Sequence, residues 1–193
     1  MTLSRAELRR DLRARRAALT PGIRLAAADA VARHLGDQPH LREPGYVGGY
    51  WAVNGELPLH AVQLRLAPGQ VWCLPIVQDD GSLRFAPWRA GDPMQPNRYG
   101  IPEPVLAPES TLEPAQLQWA LLPLLGFDRR GGRLGMGGGY YDRAFSFRRG
   151  TDAPPRLVGV GYAFQELPEL AAEPWDVALD AIATEHGFHP AGR

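Results

Sequence analysis

Lysine is absent from this sequence: all 21 basic residues are arginines. A Walker-type phosphate loop needs its lysine and is therefore excluded, so any phosphate bound must be held by arginine, backbone amides or a metal ion. Cysteine is nearly absent. The single Cys73 cannot form an intramolecular disulfide, and its place in the apolar run VWCLPIV reads as a small core residue. Such usage suits a cytosolic setting better than a secreted one. Net charge is absent too, because 21 acidic residues balance the 21 arginines. No global electrostatic footprint for nucleic acid or an anionic membrane follows from that balance. No apolar run approaches the roughly 18 residues of a membrane span, and the five histidines lack metal-ligand spacing.

What is present suffices for a buried core: 193 residues with 45% hydrophobic content, read as a single domain over 1–193. Ser4 and Glu7 have capping-box spacing, and the Leu8/Leu12/Leu19 period favours a structural helix from Arg5 over a transit peptide. Thr20-Pro21 opens a second helix that runs to about Gly36. Strands are expected at 46–51, 71–77, 82–88, 119–127, 156–164 and 176–185, with a helix over 59–66 and another beginning within YDRAFSF. The proline-rich stretch 89–117 reads as a long surface excursion. Strands alternating with helices specify an α/β fold: a mostly parallel sheet flanked by helices on both faces, with an N-terminal helical pair.

The densest signal is DRRGGRLGMGGGYYDR, residues 128–143, with six glycines in sixteen positions. It follows a buried strand and precedes a helix, the place where α/β sheets bind ligands. Glycine backbone there can form an anion-binding nest. Arg133 and Arg143 offer forked donors for phosphate, and Asp142 offers a carboxylate for magnesium. The dinucleotide fingerprint fails because position 140 is Tyr. On chemistry alone the segment admits two readings, a nucleotide phosphate site or a glycine-rich surface hairpin.

The stretch LPLLGFDRRGGRLGMGGGYYDR closely resembles the signature of the 5-formyltetrahydrofolate cyclo-ligases, also called methenyltetrahydrofolate synthetases. It matches at Pro123, Phe127, Asp128, Gly131, Arg133, Leu134, Gly135, Gly137, Gly139, Tyr140, Tyr141 and Asp142. RAELR near the start, YWAVNGELPLH, YGIPEP and EPWDVALDAIATE resemble further elements of the family. Arg5 stands where many members carry lysine, Gly138 where some do, and Trp175 where histidine often precedes the aspartate.

The resemblance implies ATP-dependent cyclisation of 5-formyltetrahydrofolate to 5,10-methenyltetrahydrofolate, with ADP and phosphate released. It implies that Arg5, Arg9 and the run Arg133, Leu134, Gly135, Met136, Gly137, Gly138, Gly139, Tyr140 and Tyr141 bind ATP. Trp51, Glu56, Tyr99, Met136 and Tyr140 would bind the folate, and Asp142 and Asp176 would hold Mg2+. A monomer in the cytoplasm, with no nucleic acid or membrane partner, is the accompanying expectation. Two rivals stand beside it: a relative that has lost catalysis, and an RNA-binding protein using the arginine-rich first helix.

Overall fold

The computed structural model describes residues 4–192; the expected domain, 1–193, extends past them at both ends. Ser4 Oγ accepts the Glu7 N–H while Glu7 Oε2 accepts the Ser4 N–H at 2.8 Å, completing the box that opens helix α1 (Arg5–Ala17). Thr20 Oγ1 accepts from Ile23 and starts α2 (Pro21–Gly36), with Pro21 in its first turn. Helix α3 is a single turn (His60–Gln63), and α4 (Tyr140–Ala144) follows the glycine cluster.

The strands are β1 (Gly45–Gly48), β2 (Gln70–Val77), β3 (Leu83–Pro87), β4 (Met94–Pro96), β5 (Pro102–Pro104), β6 (Leu117–Pro123), β7 (Gly126–Phe127), β8 (Arg133–Leu134), β9 (Arg156–Val160), β10 (Ala181–Thr184) and β11 (Gly187–Pro190). Seven of them form one sheet in the order β11-β10-β9-β6-β1-β2-β3. The five inner strands run parallel, and β3 and β11 close the edges antiparallel. Two-stranded ribbons, β4/β5 and β7/β8, lie outside it. From β1 the chain crosses to β2 on one side and later reaches β6 on the other. Strand order thus reverses between β1 and β6, and a crevice opens beyond their carboxyl ends.

Alternating strand residues feed two cores, one on each face. Trp72, Leu74, Trp119, Leu121, Val158 and Ala183 pack with Ala28, Val31 and Leu35 of α2 and with α3. Cys73, Phe85, Ala120, Leu122, Leu157 and Ile182 pack on the other face with Phe145, Val177 and Leu179. A third cluster joins Leu12 of α1 to Leu125, Leu134 and Leu170, which docks α1 beside the crevice.

Several elements are shorter than the sequence suggests. β1 stops at Gly48, although the Gly49 N–H still donates to Cys73 O at 2.8 Å; a Cβ on Gly49 would lie 2.0 Å from the Trp72 indole, so this position requires glycine. The apolar run 119–127 breaks after Pro123, where Gln165 Nε2 donates to the carbonyls of Leu124 and Leu125 at 3.1 and 2.8 Å. The expected surface excursion contains the β4/β5 ribbon, whose prolines sit where such a two-stranded edge tolerates them. β10 begins only at Ala181, and β11 adds a closing hairpin that the sequence reading lacks.

Candidate active site

The chain leaving β1 passes Tyr50 and Trp51 and then reverses at Asn54 (φ +51°) and Gly55 (φ +77°). Both residues of that turn are left-handed, which suits glycine and asparagine. The Glu56 N–H donates to Val53 O at 2.9 Å, and Glu56 Oε2 accepts the Val53 N–H at 3.0 Å. Tyr50 OH donates to Leu57 O at 2.7 Å and clamps the other end. The carboxylate is therefore fixed on a built turn. Burial pushes the Glu56 carboxyl above the usual range, opposed by the Val53 N–H and by Arg16.

Facing it, the chain beyond β6 makes the β7/β8 ribbon. Buried Asp128 organises its turn: Oδ1 accepts the N–H groups of Arg130 and Gly132, and Oδ2 accepts that of Leu170. A Cβ on Gly132 would meet Asp128 Oδ2 at 2.7 Å, so this glycine is demanded by close approach. The following loop is held by its carbonyls. Arg9 Nε donates to Gly135 O at 2.9 Å, Arg13 to Met136 O at 3.4 Å and Arg143 to Gly138 O at 2.9 Å. Among the described residues, no protein acceptor takes the backbone N–H groups of Gly135 to Gly139. Gly137 (φ +103°) and Gly139 (φ +65°) give the loop its curvature. Unpaired N–H groups on a curved, arginine-backed loop are suited to phosphate oxygens.

Two ion pairs stand beside the loop. Arg133, almost wholly buried, donates to Asp142 Oδ1 at 2.8 Å, and Val177 N–H donates to the same oxygen at 3.3 Å. The Arg133 Nε has no partner among the described residues. Arg5 of α1 pairs with Asp176 Oδ2 at 2.7 Å. Above them the β4/β5 turn reaches across. Tyr99 OH and Tyr140 OH are hydrogen-bonded, their rings meet edge to face at 6.1 Å, and Arg98 donates to Tyr140 OH at 3.2 Å. The hydrogen bonds from Tyr99 and Arg98 hold the Tyr140 phenol below its ordinary pKa, whereas burial raises that of Tyr141.

These parts enclose one cleft of about 540 Å³ at the β1/β6 reversal, within the size range of small-molecule sites. Every site residue expected from the sequence lines it except Leu134 and Arg143, the latter lying on the far side of the glycine loop. Leu134 is fully buried in the α1 cluster, so its side chain supports the loop from behind. A second depression of about 410 Å³ adjoins the far side of Gly137–Gly139, bounded by Asp142, Arg143, Arg149 and Trp175. Arg16, Asn97 and Glu103 are contributors that the sequence reading assigned no part in the site. Glu103 Oε1 accepts from Val77 N–H at 2.9 Å and Asn97 Nδ2 at 2.7 Å, fixing the ribbon that carries Tyr99. The Gly-Ile-x-Glu-Pro match at 100–104 was its only signal.

Asp142 and Asp176 are both engaged by arginine, and no group of three His, Cys, Asp or Glu side chains among the described residues could hold a metal alone. The donor set fits magnesium only as the partner of substrate phosphates, since such sites use one or two carboxylates plus phosphate oxygens. No helix is long and apolar enough to cross a membrane among the described residues.

A strand-order reversal, a fixed carboxylate and an open glycine loop meet around one cleft, the place where α/β enzymes bind small ligands. The sequence pattern of the 5-formyltetrahydrofolate cyclo-ligase family matches residues 1–185, and the chain belongs to that family. It is 32% identical over 181 residues to the 5-formyltetrahydrofolate cyclo-ligase of Haemophilus influenzae, covering 92% of this chain and 96% of that one. It is also 32% identical to the Escherichia coli K12 enzyme of the same name, over 90% and 96% of the two chains. The solved 5,10-methenyltetrahydrofolate synthetase of Aquifex aeolicus superposes with a TM-score of 0.83 at 26% identity, covering 99% of this chain and 95% of that one.

Proposed function

We propose that this protein, acting as a single-domain monomer over 1–193, uses ATP to cyclise 5-formyltetrahydrofolate to 5,10-methenyltetrahydrofolate. The observation that carries the reading is the convergence of Glu56 and the glycine loop on one cleft, in a chain of this family. The pterin lies toward Glu56, whose carboxylate accepts its N–H edge, with Trp51, Tyr99, Met136 and Tyr140 along the ring and its substituent. ATP lies along Gly135–Gly139, with Arg5, Arg9 and Arg133 on its phosphates. Asp142 and Asp176 are the residues that would hold Mg2+, whose charge would offset that of the transferring phosphate.

The chemistry explains the need for ATP. A formamide oxygen is a poor leaving group. In the proposed sequence the formyl oxygen attacks the γ-phosphorus, the bond to ADP breaks, and an iminium phosphate results. The neighbouring folate nitrogen then attacks the formyl carbon and loses its proton. The carbon–oxygen bond breaks and phosphate departs with the formyl oxygen. The chain's own groups orient the two substrates, spread arginine charge over the phosphates and exclude water. The test is product stoichiometry: 5-formyltetrahydrofolate, ATP and magnesium should yield methenyl product and ADP one for one. Folded protein that gives no methenyl absorbance would refute the reading.

A further inference from the structure

Arg16 is the largest fully buried side chain, at 1% exposure. Among the described residues it makes no salt bridge. A guanidinium with five donors and no paired carboxylate is costly to bury unless its charge is used. Its contacts are informative. Nε donates to Asn54 O at 3.0 Å, Nη1 to Leu124 O at 3.4 Å, and Nη2 lies 3.9 Å from Met136 Sδ. Those three partners line the cleft and come from three different segments: the Asn54–Glu56 turn, the end of β6 and the glycine loop. Arg16 itself does not line the cleft.

We infer that Arg16 is a positioning residue of the folate site: from behind the wall it ties the Asn54–Glu56 turn to the glycine loop and sets a buried positive charge at the base of that turn. The inference rests on the assignment of Glu56 to the pterin. Burial lowers the Arg16 pKa, and among its charged neighbours Glu56 opposes that most. Reciprocally, Arg16 is the charged group that favours the ionised form of Glu56. The remaining groups about this carboxylate bring little charge. Tyr50, Tyr141 of α4 and Tyr162 after β9 are neutral phenols. Arg24 of α2 stands against Gly55, and Arg13 of α1 acts on Arg16 as a like charge. A pterin N–H edge needs an acceptor-only carboxylate, so a charge behind Glu56 bears directly on affinity.

The experiment measures the affinity of the whole protein for 5-formyltetrahydrofolate without ATP, from pH 5.5 to 8, by titration calorimetry. Four proteins are compared: wild type, Arg16→Met, Arg16→Lys and Glu56→Gln. Arg16→Met should bind about threefold more weakly at the alkaline end, where only the tie between turn and loop is lost, and at least about tenfold more weakly at the acid end, where Glu56 without its cation takes up a proton more readily. Arg16→Lys keeps the charge and should keep the wild-type pH profile. Should Arg16→Met not fold, Arg16→Gln retains a donor toward the two carbonyls and serves in its place. A pH-independent loss in the neutral variant, no loss, or identical profiles for the neutral and Lys variants would overturn the inference. Wild-type folate affinity in Glu56→Gln would instead overturn the assignment of Glu56, so the two failures are distinct.

Discussion

The guanidinium of Arg133 and the carboxylate of Asp142 meet at 2.8 Å, the former buried and the latter lining the cleft. The pair joins β8 to α4 across the glycine loop, so the loop is bracketed by one ionic link. A carboxylate held this way serves the fold before it serves any cation. Asp142→Asn should therefore have two effects. Leaving Arg133 without its anion should cost about 2 kcal/mol, lowering the melting temperature by roughly 4–8 °C for a chain of this size. The magnesium concentration needed for half-maximal activity should rise, because a neutral amide is a poorer ligand for a hard cation. Thermal melting and a magnesium titration read the two separately. An unchanged magnesium requirement would remove Asp142 from the metal site.

Gly137 adopts φ +103°, and a Cβ there would meet only Arg9 Cζ at 3.9 Å. Space is available and the backbone conformation is not. Gly137→Val should force the exposed loop off its native path, which relieves the strain of about 1–3 kcal/mol that valine would otherwise bear there. ATP affinity should fall by at least about tenfold while the melting temperature changes little. Early melting with intact ATP binding would show that the glycines serve folding alone.

Glu56→Gln should move folate affinity and stability in opposite directions. Its carboxyl is raised by burial, so the folded state binds its proton more tightly than the unfolded state. Stability contributed by that proton is fully present below the unfolded value of 4.5 and is lost as pH rises through the raised folded pKa. At neutral pH the buried carboxylate is thus a net cost, and the neutral amide should raise the melting temperature. Folate KM should rise about ten- to a hundredfold, from roughly 1.4–2.8 kcal/mol of lost charged hydrogen bonding. ATP KM should stay near wild type. An equal loss for both substrates would point to general damage.

Tyr99 is exposed at the tip of the β4/β5 turn, and its ring and hydroxyl both meet Tyr140. Tyr99→Ala should remove one aromatic face from the folate and open the bridge across the cleft. About 0.5–1.5 kcal/mol of aromatic contact corresponds to a folate affinity two- to twelvefold weaker. Unchanged folate affinity would leave Tyr99 as a surface contact of Tyr140 alone.

Helix starts were legible where side-chain caps write them, at Ser4/Glu7 and Thr20-Pro21. The parallel strands were legible because both faces are covered and the runs read continuously apolar. Element ends were not, since they depend on distant partners such as Gln165, which takes the carbonyls of Leu124 and Leu125 out of the strand. The site was legible where glycines and aspartate follow one another in the chain. Arg16 was hidden because the helix carries arginines all round it, and nothing local marks the one that turns inward. Its role is set by Asn54, Leu124 and Met136, more than 35 residues away in each case.

In the proposed reaction the formyl oxygen becomes a phosphate oxygen within this cleft. The direct test is to supply 5-formyltetrahydrofolate carrying oxygen-18 in the formyl group, with ATP and magnesium, and to analyse the phosphate by mass spectrometry. One labelled oxygen should appear in each phosphate released, in step with methenyl product. Unlabelled phosphate accompanying that product would contradict the account.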